Sequence, residues 1–244
     1  MKNSNKIVVG VAVAAIAFAA VVVVGSRAIA GRAVRPEFAS GTSAAREITG
    51  TGSMVEEVVD VRSFDEIETS GVWKLEIRHG DEPSVRLSYP DYLEEEVRVQ
   101  SQGSTLDLGF ERDISLRRGG EMPTATIVVA ALKRLEMSGA TTAHVEGLSE
   151  DSLEIEMSGG TNFIGEDCTI GRLRVNSSGA ANINLAGSKV RDARIDLSGA
   201  GNVEITMDGG ELEADLSGAT RLVYYGTVSR RDINTSGVSS VRQR

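Results

Sequence analysis

The stretch "LSGAGNVEI" (residues 197–205) has near-copies on both sides: "MSGATTAHV" (137–145), "MSGGTNFIG" (157–165), "SSGAANINL" (177–185), "LSGATRLVY" (216–224) and "TSGVSSVRQ" (235–243). Ser138, Ser158, Ser178, Ser198, Ser217 and Ser236 open the six Ser-Gly pairs, so the spacing is almost constant. A fixed period of this length is the mark of stacked repeats, each too small to bury an apolar face alone. Three positions before each serine stand Leu135, Ile155, Val175, Ile195, Ala214 and Ile233. Five positions after it stand Ala143, Phe163, Ile183, Val203, Leu222 and Val241. Apolar residues also fill most positions one and five before and seven after, with Gly165 an exception. This period-two alternation predicts a half-buried strand on each side of a Ser-Gly corner. Glycine suits the corner because it tolerates positive φ. The expected fold is therefore all-β: a single-stranded parallel β-helix or β-solenoid with rungs of about 20 residues and right-handed winding. The last two intervals are one position shorter than the others, and are expected to lose that residue in the loops.

Working back toward the N-terminus, "FDEIETSGVWKLEIRHG" (64–80) repeats the grammar around Ser70-Gly71. The segment from Ser70 to Ser138 is far longer than one plain rung. "SVRLSY", "EVRVQSQGSTLDLGF" and "TATIVVAAL" alternate like strands with turns between them. They predict an irregular β N-terminal half that pairs with the regular stack and caps it. An uncapped stack would leave strand groups unpaired.

The chain opens with a short basic stretch. An uncharged apolar run then starts at Ile7 and closes at Val24. Its length approaches the ~20 residues that span a bilayer. "AIA" at 28–30 fits a cleavage site, with Arg27 between it and the run. We read residues 1–30 as a signal anchor, with cleavage after Ala30 and secretion as the alternative. Residues 31–57 read as a flexible linker and 58–241 as the folded domain. The membrane is the expected partner of the run, and the domain is expected outside the cytoplasm, in the periplasm or at the cell surface.

"VRSFDEIETSGVWKLEI" followed by serial "SGA-x-N" corners resembles the head GIN domain family, found in bacterial proteins described as auto-transporter adhesins. Phe64, Asp65, Glu66 and Ile67 with Ser70-Gly71 carry the opening of that resemblance, which covers roughly residues 58–241. It implies a β-helical extracytoplasmic domain whose family function is unassigned and whose name alone points to adhesion, and it supplies no catalytic motif to carry over. No C-terminal stretch resembles a β-barrel translocator, so self-transport is not expected.

Composition narrows the chemistry. The 26 basic residues include five within residues 1–35, which hold no acid; the rest of the chain has 21 basic against 35 acidic side chains. Such a domain repels phosphate backbones, so nucleic acid is not an expected partner. Cys168 is the only cysteine and reads as a small core residue. His79 and His144 alone give no zinc set. No nucleophile elbow, phosphate loop or dinucleotide fingerprint is present.

The columns carry more information. Asn162, Asn182 and Asn202 stand four after Ser158, Ser178 and Ser198, as a hydrogen-bonded ladder or a glycan-binding row. Glu136, Glu156, Asn176, Asp196, Asp215 and Asn234 recur two before it, facing outward. Arg134, Arg174 and Arg194 sit in the column beside them, which predicts diagonal ion pairs. The alternative is a cation site, with calcium the candidate, near Asp196 and Asp215. Candidate ligand-binding residues are the aromatics Trp73, Tyr89, Tyr92 and Tyr225, read as solvent-facing sugar-stacking groups. Trp73 has a second reading, as a plug at the open end of the stack. The expected role is a membrane-tethered, non-enzymatic binding protein for an envelope polysaccharide or protein. The alternatives are a polysaccharide-processing β-helix enzyme, with carboxylates acting in pairs, or an envelope structural or signalling partner.

Overall fold

The computed structural model describes residues 52–111, 114 and 121–244. The apolar run from Ile7 to Val24, the Ala30 cleavage site and most of the linker lie outside the described residues. Among those described, no helix is long and apolar enough to cross a membrane.

The described chain is all-β apart from a 3-10 turn at Asp91–Leu93. Its strands are β1 (Met54–Val59), β2 (Glu66–Thr69), β3 (Val72–His79), β4 (Ser84–Pro90), β5 (Val97–Gln102) and β6 (Thr105–Phe110). Then follow β7 (Thr124–Val129), β8 (Arg134–Met137), β9 (Ala140–Glu146), β10 (Ser149–Asp208), β11 (Glu211–Thr227) and β12 (Arg230–Gln243). The expected loop in every unit is not seen. β10 runs as 60 residues of strand through three Ser-Gly corners.

Pairing in the repeat is parallel and in register. Ser198-Gly199 lies beside Ser217-Gly218, and that pair beside Ser236-Gly237. Met157 pairs with Met137, and Met137 with Thr69. The offset between partners falls by one between the Ala186–Thr206 and Ala193–Leu212 pairs. The missing residue is thus absorbed at the break around Gly209-Gly210, away from the inward-facing positions of the corner.

The corner glycines approach each other closely. The amide N–H of Ala140 donates to the Gly71 carbonyl, and that of Gly160 to the Gly139 carbonyl, both at 2.8 Å. A Cβ on Gly179 would stand 2.5 Å from the Gly159 carbonyl oxygen, and Gly179 has φ +118°. The Ser-Gly repeat therefore answers two demands at once: positive φ and space for the carbonyl beneath.

The inward positions form one core. Ile67, Leu135, Ile155, Val175 and Ile195 are fully buried before the corners, as are Ala143, Leu185 and Ile205 after them. Burial of aliphatic side chains at about 25 cal/mol per Å² supplies the main drive for stacking.

The irregular first half adds strands at the head end of this core. β2 lies between β8 and β6, and β5 pairs antiparallel with β6. β3 lies between β9 and β7, followed outward by β4 and then β1. Tyr89 on β4 donates its hydroxyl to Glu57 on β1 at 2.8 Å. Burial, reinforced by that bond and the charge of Glu57, pushes the Tyr89 pKa up to about 12. A raised phenol pKa adds stability that is complete below pH ~10 and disappears as pH rises toward the folded value. Thermal melts between pH 10 and 12 are expected to fall more steeply for the wild type than for Tyr89→Phe. Equal slopes would show that the bond does not hold β1.

Candidate functional site

A groove of about 580 Å³ runs along the stack just before the corners. The strand preceding each Ser-Gly builds it, and every rung from Glu136 to Ser236 contributes. Glu136, Glu156, Asn176, Asp196, Asp215 and Asn234 supply carboxylates and amides, while the corner serines supply hydroxyls. Met157, Leu197 and Leu216, almost wholly buried, line it between them. The carboxylate or amide recurs in each repeat at the inter-strand spacing of about 4.8 Å, and the residue after it is apolar in four of the six, with Ser177 and Thr235 in the other two.

Arginines thread the acidic column. Arg134 reaches Glu136 at 3.0 Å and Glu156 at 3.1 Å. Arg194 reaches Glu213 at 2.7 Å, Asp196 at 3.3 Å and Asp215 at 3.9 Å. The hydrogen bond to Asp196, with the charges of Asp196 and Glu213, holds the Arg194 proton more tightly than usual. Asn234 donates to Asp215 at 2.9 Å. The ion pairs are half-buried and still open to water, so each is individually weak. They do explain how like charges stack one rung apart.

The guanidinium of Arg194 supplies positive charge beside both Asp196 and Asp215. Among the described residues no group of three or more His, Cys, Asp or Glu side chains could hold a metal ion. Because Arg194 already pairs with Asp196 and Asp215, a calcium titration of the wild-type chain is expected to leave its melting temperature unchanged. A saturable rise would mean that the ion outcompetes Arg194.

The serine hydroxyls are engaged with the neighbouring rung. Ser138 donates to the Thr69 carbonyl at 3.0 Å, and Ser198 and Ser217 donate to those of Ser177 and Leu197 at 3.4 Å. The asparagine column forms a ladder on the strand after the corner. Asn202 donates to Asn182 at 3.1 Å, Asn182 to Asn162 at 3.0 Å, and Asn162 to Thr142 at 3.3 Å. Its amides are spent in part on one another.

The structure places the aromatics differently from the sequence reading. Trp73 is 0% exposed, and Tyr89 and Tyr92 are also buried. Trp73 stacks on Phe110 with centroids 5.0 Å apart and donates its indole N–H to the Ser70 carbonyl at 3.1 Å. None of the three presents a face to a sugar, because the first-half strands cover them. Tyr225 alone is partly exposed. None of the four lines the groove, whereas Asp196 and Asp215 do. Alternation placed the carboxylate column outward but gave no sign that the backbone there is concave. The sequence signal for the groove was the serine column beside the carboxylate column.

His144 stands apart from the groove, with ring nitrogens 3.4 Å from Glu76 and 3.2 Å from Glu166. Burial pushes the Glu76 carboxyl up, but Lys74 and His144 outweigh it and leave the pKa lowered. Cys168 is buried, as expected for a core residue.

Residues 63–205 match the family described as "Putative auto-transporter adhesin, head GIN domain". A crystal structure of a putative adhesin from Bacteroides fragilis aligns with 79% of this chain and 97% of its own, at 18% identity and TM-score 0.64. At that identity the likeness is one of fold. Crystal structures of a putative lipid binding protein and a putative adhesin, both from Parabacteroides distasonis, cover 80% of this chain and 98% of theirs. Their identities are 16% and 15%, with TM-scores of 0.47 and 0.49. No curated protein matches the chain.

Proposed function

The chain belongs to the family described as "Putative auto-transporter adhesin, head GIN domain", and on that premise we propose that it is a non-enzymatic binding protein of the bacterial envelope. In this reading the strands wind as a β-solenoid tethered through the run from Ile7 to Val24, with the domain outside the cytoplasm. The groove beside the corners receives a linear envelope polymer along the stack. In-register parallel pairing of successive repeats supports the winding.

One observation carries the binding role: the groove lining repeats rung after rung. An enzyme concentrates its chemistry where a bond breaks, with distinct groups in distinct roles. Here a carboxylate or amide, a buried side chain and a serine recur in the same order from Glu156 to Ser217, and Glu136 and Asn234 continue the carboxylate-amide column at either end. Such a lining suits an extended ligand that offers hydroxyl and amide groups at a similar repeat, as a polysaccharide does. Binding would spread over many weak contacts and gain by their number.

Co-sedimentation with peptidoglycan and with purified envelope polysaccharides tests the reading. Saturable retention, lost in a Glu156→Lys/Asp196→Lys variant of unchanged melting temperature, is the expected result. No retention under any salt condition would remove the polysaccharide reading. Turnover of a polysaccharide that depends on Asp196 would replace it with the enzymatic one.

A further inference from the structure

The two ends of the stack are open in complementary ways. Among the described residues, β1 pairs only with β4, β5 only with β6, and β12 only with β11. The head therefore ends in two six-residue edges, β1 and β5. At the tail, Ser236-Gly237 divides β12 into two limbs of the same length, residues 230–235 and 238–243.

The pairing path connects these edges face by face. From β1 the neighbours run through β4, β7, β3 and β9 to the strands after the corners, ending at 238–243. From β5 they run through β6, β2 and β8 to the strands before the corners, ending at 230–235. Each face of the stack thus has one free edge at the head and one at the tail. The apolar finish at both ends is thin. Val55, Val59, Val97 and Val99 at the head, and Ile233 and Val241 at the tail, are only partly buried against the core. Val58 and Val238 are 70% and 85% exposed.

Charge decides which ends can meet. Exposed Glu56, Glu57, Glu94 and Glu95 surround the head edges. The tail rung carries exposed Arg230, Arg231, Arg242 and Arg244 against a single Asp232. Head against head, or tail against tail, brings like charges together. Head against tail brings opposite charges together. Charged edge residues usually prevent strand addition; here their sign excludes like ends and admits unlike ones.

We propose that the head of one molecule docks on the tail of a second copy of this chain. β1 then adds to residues 238–243 and β5 to residues 230–235. Two antiparallel steps, β1 to β4 and β4 to β7, return β1 to the direction of β3. β1 therefore joins its limb in parallel, whereas β5, antiparallel to β6, joins its limb antiparallel. This contact uses two different surfaces of the same chain, so it does not close on itself. Repetition gives a linear string of domains. The inference is independent of what the groove binds.

The full-length chain in detergent micelles provides the test. Val58→Cys and Val238→Cys, each adding one cysteine to the buried Cys168, are mixed and treated with a bismaleimide, with the wild type controlling for Cys168. The expected product is the mixed 58–238 dimer in excess over both homodimers, together with concentration-dependent larger species that dissolve in high salt. Arg242→Glu and Glu56→Lys should each abolish those species, and the double variant should restore them. A 238–238 or 58–58 homodimer as the main product would overturn the proposal. So would a monomer at all concentrations.

Discussion

Gly179→Ala is expected to lower stability by several kcal/mol, and Gly187→Ala to leave it unchanged or slightly higher. Gly179 has φ +118°, and its absent Cβ would meet the Gly159 carbonyl at 2.5 Å. The positive φ costs a residue with a side chain about 1–3 kcal/mol. The crowding adds roughly 1–3 kcal/mol of overpacking, because the carbonyl is fixed by its place in the stack. Gly187 has neither a positive φ nor any atom within 4 Å of the Cβ position. Replacing it mainly restricts the unfolded chain, a gain of about 0.4–1 kcal/mol. Gly209→Ala separates the two costs, since Gly209 has φ +85° and open space around it. It should lose only the backbone share, about 1–2 kcal/mol. Thermal melts of the three variants check the order. If Gly179→Ala melts with the wild type, the corner column does not depend on glycine.

Trp73→Ala is expected to destabilise the head by about 3–5 kcal/mol, the range for deleting a buried aromatic core side chain. Stacking on Phe110 contributes roughly 0.5–1.5 kcal/mol beyond area. Loss of the indole also leaves the Ser70 carbonyl without this donor. Trp73→Phe keeps most of the volume and should recover most of the loss. Trp73 is the only tryptophan, so emission reports the same site without mutation. The wild-type chain should show blue-shifted fluorescence shielded from acrylamide, and sugars should not alter it. Ready quenching would return Trp73 to the surface and revive a sugar-stacking role.

Much of this was legible because repeat contacts obey a nearly fixed offset. A residue's neighbour in the stack stands one repeat away along the chain, so sequence columns are spatial columns. The inward aliphatic rows, the asparagine ladder and the Arg–carboxylate pairs of Arg134 and Arg194 all follow from that rule. The solvent-facing reading failed for Tyr89 and Tyr92 because they lie outside the repeated corners, where no column says which way an aromatic turns. Trp73, three after Ser70, has the parity of the inward Leu75 and Ile77, so its column favoured the plug reading over the sugar-stacking one. Only β4, β6 and β7, placed over the head, settle that all three are buried.

By itself, then, the sequence determined an all-β chain, the corner positions, which face of each repeat turns inward, and the family. Those properties depend on local alternation and constant spacing, which are one-dimensional quantities. The tertiary structure alone decided that β2 sits between β6 and β8 and that Phe110 covers Trp73. It also decided that the carboxylate and serine columns border one groove. Each of these depends on backbone curvature or on pairing between segments at no fixed separation. The free energy of such contacts comes from burial and shape in three dimensions, and neither leaves a period in the chain.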